Sequence, residues 1–338
     1  MNLETDFRIP FDEILGVLEE TLLARNFTSE DAKLSARLFT ETSRDGVYSH
    51  GLNRFPLYVE FIDKGYIKVR NKPRLIKSNG VLEQWNGQLG PGNINAFRSV
   101  ERAVGLAHEH GVGCVALSNT NHWMRGGTYG WKAADEGCLA IMWANTAGNM
   151  PPWGGTRPSI GNNPLVMAVP RSAGHVVLDM SQTLFSFGKL SVYRDRGAQL
   201  PFEGGYNQEG KLTRDPAEIL AAMRPLPIGY WKGSGLSIML DIFATILSGG
   251  KSTMELSRNE YEYGVSQVFI VIDPGSEIFH ESREMLLDQI LTDIKNTPSE
   301  DSNQPVRYPG ERTARIRREN LKEGIPVRKE IWKRINNL

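Results

Sequence analysis

Gly111-Val112-Gly113-Cys114-Val115-Ala116-Leu117-Ser118-Asn119-Thr120-Asn121-His122-Trp123-Met124-Arg125-Gly126-Gly127 joins a short apolar run, a polar loop and a pair of glycines in one stretch. The run at 112–117 has the length and composition of a buried strand, and residues 126–136 read as a helix. A second buried strand is expected at 138–144. Before this stretch, Ile94, Phe97, Val100, Val104 and Ala107 mark one face of a helix that stops near Gly111. After it, strands are expected at 164–169 and 175–178, joined by a turn at Arg171-Ser172-Ala173-Gly174, and again at 265–272. A long apolar helix at 233–247 reads as a core helix, interrupted by Asp241 and too short to span a bilayer. Strands that alternate with helices argue for an α/β or α+β core.

Both ends of the chain read differently. Phe11, Ile14, Leu15, Leu18 and Leu22 recur at helical spacing. Thr28-Ser29-Glu30-Asp31 has the form of a capping box, in which Thr28 satisfies a free N–H of the first turn and Asp31 reaches back. Leu34, Leu38 and Phe39 continue that second helix to Gly46, and Pro56, Tyr58, Val59 and Ile62 predict a third that stops at Gly65. Near the other end, Leu286, Leu287, Ile290, Leu291 and Ile294 share an apolar face, residues 297–304 read as a polar loop, a basic helix opens at 307–312, and a last short helix is expected at 330–335. Residues 201–211, rich in glycine, read as a surface loop, and there are no internal repeats.

Composition narrows the function. The 338 residues carry 39 basic and 39 acidic side chains, so the chain lacks the positive balance of a nucleic-acid binder. Cys114 and Cys138 sit in apolar runs and read as buried, reduced thiols. Residues 1–6 lack a basic region followed by an apolar one, so a cytoplasmic, non-membrane protein is expected.

Familiar nucleotide and metal motifs are missing. No G-x-G-x-x-G follows a strand, Gly250-Lys251-Ser252 lacks the first glycine of a P-loop, and His108-Glu109-His110 places its histidines on different sides of a helix. Gly46-Val47-Tyr48-Ser49-His50-Gly51-Leu52-Asn53-Arg54 says more. His50 can exchange a proton near neutral pH, and Arg54, four residues on, shares its face if a helix begins here. A guanidinium grips a carboxylate with two hydrogen bonds, so a base beside a carboxylate clamp suits a 2-keto or 2-hydroxy acid. A capping Ser49 with a structural His50 is the competing reading. The loop with His122 lies between a strand and a helix N-terminus, where ligands and anions gather. Asp179, at the end of another strand, could polarise a histidine or serve as a cap or ion-pair partner.

Five segments in order, Tyr48-Ser49-His50-Gly51, Asn121 to Gly127, Met150-Pro151-Pro152-Trp153-Gly154, Asp179-Met180-Ser181 and Tyr230-Trp231-Lys232-Gly233-Ser234-Gly235, resemble the malate/L-lactate dehydrogenase-like oxidoreductases. Tyr48 to Gly51, Met150 to Trp153 and Gly229 to Lys232 look like its 2,3-diketo-L-gulonate reductase branch, and the likeness runs from about Phe11 to the end of the chain. The resemblance implies a non-Rossmann fold with a mixed-sheet core at 76–279 and a helical domain built from 1–75 and 280–338. It implies a homodimer acting on a small keto acid with NAD, or NADP, as cofactor, and no metal. His50 matches the family's proton donor, Asp179 the carboxylate that assists it, and Ser49, Arg54 and His122 substrate contacts. His175, Val176, Val177, Leu178, Asp179, Met180 and Ser181 match one cofactor segment, Trp231 and Lys232 a second, and Gly310, Glu311 and Arg312 a third. Two departures stand out: Asn162 where relatives carry threonine, and Glu311 where close relatives carry histidine. An acid near the adenosine ribose favours NAD, and Arg312 beside it pulls toward NADP.

The expected reaction is reduction of the 2-carbonyl of a sugar-derived keto acid, 2,3-diketo-L-gulonate to 3-dehydro-L-gulonate. Arg54 would hold the carboxylate, His50 would protonate the developing alkoxide, and Asp179 would raise the pKa of His50. Rival readings are a malate, lactate or ureidoglycolate dehydrogenase or cyclic-imine reductase of the same family, a silent cofactor-binding protein, and a metal-dependent hydrolase or lyase.

Overall fold

A computed structural model describes residues 7–275, 280–301 and 303–338, so the export-signal reading of residues 1–6 lies outside the described residues. The chain opens with β1 (Phe7–Ile9), α1 (Phe11–Leu23), α2 (Ser29–Arg44), a 3-10 turn (Leu52–Arg54) and α3 (Phe55–Asp63). The apolar face read from sequence is the packed one: Ile14, Leu18 and Leu22 are fully buried. Thr28 caps α2 by accepting from the Asp31 N–H at 3.1 Å. Asp31 does not complete the expected box; its Oδ1 accepts from Arg98 at 2.6 Å, a charged partner that only folding supplies. Thr28→Ala is expected to cost about 1 kcal/mol in a denaturant titration. An unchanged midpoint would mean that the cap contributes nothing.

Then come β2 (Arg74–Asn79), β3 (Leu82–Asn86), α4 (Gly92–His110), β4 (Val112–Thr120), α5 (Gly127–Asp135), β5 (Leu139–Ala144), β6 (Leu165–Val169) and β7 (Val176–Met180). After them follow α6 (Phe187–Asp195), β8 (Gly205–Tyr206), β9 (Leu212–Thr213), α7 (Pro216–Ala222), α8 (Trp231–Ser248), α9 (Thr253–Leu256) and β10 (Val265–Ile272). Seven strands form one mixed sheet in the order β2-β3-β4-β10-β5-β6-β7, in which only β3 and β4 run parallel. The late strand β10 enters the middle of the sheet, buried on both faces, which explains its unbroken apolar run. Helices α4 and α5 cover one face, packing Val100, Ala103 and Tyr129 on Val115, Met142 and Phe269. Helix α8 covers the other, with Leu240 and Ala244 on Ala116, Trp143 and Val268.

Two expectations need correction. Helix α8 is not a core helix: Leu240 and Ala244 face the sheet, whereas Met239, Phe243 and Ile246 are exposed on its far side. Leu236, Ile238 and Ile242 are exposed as well, so α8 carries an apolar face away from the sheet. Residues 201–211 are more than a loop, because β8 pairs with β9 beyond them and Gly204 and Gly205 are buried.

The C-terminal part holds α10 (His280–Asn296), α11 (Glu311–Glu323), β11 (Ile325–Val327) and α12 (Lys329–Asn336). β11 pairs antiparallel with β1, and Ile325, Val327 and Ile335 share a core with Ile9, Ile14, Leu18 and Phe55. The two chain ends therefore close on each other. Helix α10 lies instead beside the sheet turn, where Arg171 Nε meets Asp288 at 2.7 Å. Among the described residues, no helix is long and apolar enough to cross a membrane.

Candidate active site

The loop between α2 and the 3-10 turn carries Ser49 and His50. It is held by close packing: Ser43 Oγ accepts from the Leu52 N–H at 2.8 Å, and a Cβ on Gly51 would fall 2.1 Å from that oxygen. Only glycine lets the loop approach α2 this closely. The expected α-helical face shared by His50 and Arg54 is not formed, because residues 48–51 are turn and only Leu52–Arg54 are helical, as a 3-10 turn.

His50 instead meets the loop after β4. Its ring stacks on that of His122, with centroids 6.0 Å apart and planes at 23°. Ser49 Oγ lies 2.9 Å from His50 Nδ1. His122 Nδ1 accepts from the Met124 N–H at 2.9 Å, so a neutral His122 carries its proton on Nε2 and can donate from there. Met124 takes a left-handed φ of 66°, a strained conformation that this bond helps to hold. Burial, together with Arg54 and His50, holds His122 well below the usual histidine range. His50 is also lowered: burial acts first and Arg54 and Arg125 reinforce it, against the upward pull of Asp179. The direction is opposite to the one expected from an assisting Asp179. That carboxylate is exposed, and its Oδ2 accepts from the Gly127 N–H at 2.7 Å at the start of α5; among the described residues no hydrogen bond joins it to His50.

These groups line a cavity of about 630 Å³. Ser49, His50 and His122 stand with Asp179, and Val177, Leu178, Met180 and Ser181 add a wall from β7. The capping residues of three helices, Gly126 for α5, Ser186 for α6 and Gly310 for α11, line the same space, and Arg307 joins them. Helix N-termini and a guanidinium favour anions. Gly310 has φ of 92°, and a Cβ there would lie 2.9 Å from His175 O and from Val177 N, so α11 starts hard against β7. Asn162 lines the cavity too, its Oδ1 accepting from Asn149 Nδ2 at 2.8 Å.

Other predicted positions lie outside this lining. His175 packs on Trp131 and pairs with Asp135 at 2.8 Å, while its neighbour Val176 is half-buried in β7. Trp231 and Lys232 are exposed at the start of α8, beside Tyr230, whose ring meets that of Trp153 at a tilt of 52°. Arg312 is exposed, and Glu311 Oε1 accepts from Lys295 at 2.5 Å while its Oε2 is buried without a partner. Arg54 flanks the far side of His122; among the described residues it has no salt bridge, and burial lowers its pKa.

Sequence reading missed an ionic cluster behind the cavity. Asp45, 3% exposed, accepts from Arg125 at 2.6 Å, from Arg317 at 2.8 and 2.6 Å, and from Arg44 at 2.9 Å. Arg125 lines the cavity, and Arg317 stacks over Trp131 at 4.1 Å. Gly250-Lys251-Ser252 takes a different role from a phosphate loop: Ser252 and Glu255 form the capping box of α9. Among the described residues, no group of three or more His, Cys, Asp or Glu could hold a metal ion.

The malate/L-lactate dehydrogenase family profile matches residues 9–336. The chain belongs to the malate/L-lactate dehydrogenase family. Within it, the chain is 44% identical to the 2,3-diketo-L-gulonate reductase of Citrobacter koseri over 332 residues, covering 98% of this chain and all of that protein. Among solved structures it is similar to the malate dehydrogenase of Pyrococcus horikoshii OT3, with a TM-score of 0.88 and 28% identity over 98% of this chain and 94% of that one. The sulfolactate dehydrogenase of Methanocaldococcus jannaschii gives 0.87 and 26% over 97% and 95%. The chain is thus an oxidoreductase on the mixed-sheet fold of this family, and the paired histidines line the cavity of about 630 Å³.

Proposed function

We propose that this oxidoreductase uses a nicotinamide cofactor to reduce the 2-carbonyl of a sugar-derived keto acid, with 2,3-diketo-L-gulonate reduced to 3-dehydro-L-gulonate as the leading case. The observation that carries this reading is the stacked His50–His122 pair between Arg54, which has no salt bridge among the described residues, and a cavity walled by three helix N-termini. A cavity of this size suits a large cofactor. Its N-termini and Arg307 suit phosphate groups. NAD is the leading cofactor, with NADP as the alternative. When bound, the reduced nicotinamide supplies a hydride to the carbonyl carbon. Arg54 holds the substrate carboxylate, His50 protonates the carbonyl oxygen, and His122 Nε2–H steadies the same end of the substrate. Asp179, facing the cavity, offsets part of the positive charge that His50 carries when protonated.

The exposed apolar face of α8 supports a homodimer, as an uncovered patch of this kind marks an association surface. The proposed division is residues 1–75 with 280–338, whose ends join through β1 and β11, and residues 76–279 around the sheet, with α10 reaching the sheet unit through Asp288 and Arg171. Cys138 is buried and Cys114 only half-buried; both are free, and burial raises each thiol to about 11, so both stay protonated at neutral pH.

The test is NADH and NADPH oxidation with 2,3-diketo-L-gulonate, oxaloacetate, pyruvate and a cyclic imino acid. Turnover on diketogulonate supports the leading case. Preference for oxaloacetate, pyruvate or the imino acid would move the substrate within the family. Arg54→Met is expected to raise KM for the keto acid about 100-fold, with a smaller change in kcat, as loss of a charged, bidentate partner does. An unchanged KM would remove Arg54 from substrate binding.

A further inference from the structure

Behind His122 lies a second, much smaller space of about 50 Å³, lined by Arg54, Tyr58, Asn121, His122 and Glu262 among others. It has room for one or two water-sized groups, or one carboxylate. Three unfinished polar groups meet there. Arg54 has no salt bridge among the described residues. Asn121, 2% exposed, donates its amide to the carbonyls of Tyr66, Leu89 and Gly90, and its Oδ1 has no partner. Glu262 Oε2 accepts from the Ala147 N–H at 2.9 Å, and its other oxygen has no hydrogen bond among the described residues.

A carboxylate that settles on Arg54 enters the space Glu262 already faces. Two carboxylates confined together do not both stay ionised; they share a proton. We propose that Glu262 is a second carboxylate-binding residue of the substrate site: it takes up one proton from solvent as the substrate binds Arg54, and donates that hydrogen to the bound carboxylate. No covalent bond to carbon changes in this step. The proposal rests on the reading of Arg54 as the carboxylate clamp.

The neighbours leave Glu262 as the group that titrates. Arg54 faces it from the 3-10 turn and stays charged. Tyr58, from α3, is tied to Ser35 and Asn93 and pushed far up by burial, so it stays protonated. His122, from the loop after β4, is held neutral. Burial raises Glu262, against the Ala147 N–H and Arg54, which favours proton uptake when a second anion arrives.

The experiment uses the full-length, NADH-loaded enzyme. Calorimetric titration with oxamate, in buffers of different ionisation enthalpy, counts the protons taken up. In parallel, KM for the reduced keto acid is followed between about pH 5 and pH 9. The parent is expected to take up close to one proton more than Glu262→Gln, any uptake at His50 being common to both, and its KM to rise toward about tenfold per pH unit once Glu262 is ionised. Glu262→Gln imitates the protonated acid and keeps an acceptor for Ala147. It is expected to abolish that extra proton and flatten KM against pH, while the kcat profile set by His50 keeps its shape. Glu262→Asp keeps an ionisable group and is expected to keep the uptake, which separates proton linkage from damage to the fold. Absence of uptake in the parent, or equal uptake and an equal KM slope in Glu262→Gln, overturns the proposal. The Arg54 reading fails by a different result, an unchanged KM in Arg54→Met.

Discussion

Replacing His50 with alanine lowers turnover by about 10²- to 10⁴-fold while cofactor affinity stays close to that of the parent. The size follows from what is lost, a positioned proton donor, and not from a packing defect, since His50 sits at a cavity wall on an otherwise anchored loop. The pH profile separates this from a structural effect. Burial, Arg54 and Arg125 hold His50 below its ordinary 6.5 despite Asp179, so the free enzyme's imidazole is neutral at neutral pH. Reduction needs the protonated ring. The kcat/KM for reduction therefore falls as pH rises through a midpoint below the ordinary value, and oxidation of the alcohol, which needs the neutral ring, moves the other way. His50→Ala should lose both limbs. Parent-like turnover in that variant would hand the proton to another group, with His122 next in line because its ring stacks on His50 and its Nδ1 accepts from Met124, which leaves Nε2 to carry the proton.

The second large effect is structural. Asp45→Asn is expected to destabilise the fold by about 3–5 kcal/mol, because it leaves buried guanidiniums without their counter-charge. For a chain of this length that is a fall in Tm on the order of 5–10 °C. Burial alone would raise the Asp45 pKa; the hydrogen bond from Arg317 and the charges of Arg125, Arg44 and Arg317 outweigh it and bring it to about 2. A carboxyl depressed in the folded state stabilises above its unfolded pKa near 3.8, and that contribution is lost as pH falls through about 2. The parent should therefore lose this contribution in strong acid, and Asp45→Asn should lack that part of the acid dependence. Calorimetry between about pH 2 and pH 7 measures both. An unchanged Tm at neutral pH would mean the arginines find solvent instead. Arg125 also lines the cavity, so the same substitution should weaken keto acid turnover as the loop after β4 loses its anchor.

Periodicity was enough for the long helices and the buried strands. Ile14, Leu18 and Leu22 on one face, and the unbroken run of β10, follow from burial alone, and burial leaves its period in the residues that serve it. Strands β2 and β3 were not legible: β2 is exposed along its whole length and has no apolar face to announce it. Helices α6 and α7 are short, and each buries little. The exposed side of α8 was misread because an apolar residue does not say whether anything covers it.

His50, Arg54, His122 and Asp179 could be picked out because each pairs a reactive side chain with a telling neighbour or a strand end. Their mutual geometry could not. The ring stack of His50 on His122 joins two loops, and a turn, not an α-helix, presents Arg54. Asp45 meets Arg125 across 80 residues and Arg317 across 272, while Glu262 reaches the Arg54 space from the loop before β10. A lone charged residue in a sequence reads as solvated; whether it is paired and buried depends on distant partners, and those are fixed only when the sheet closes around β10 and the chain ends meet through β1 and β11. The residues by themselves determined the long helices, the buried strands, the family and the reactive side chains His50, Arg54, His122 and Asp179. Tertiary structure decided which charges face each other, and so the protonation state in which each actor waits, because pKa values follow burial and neighbours rather than residue type.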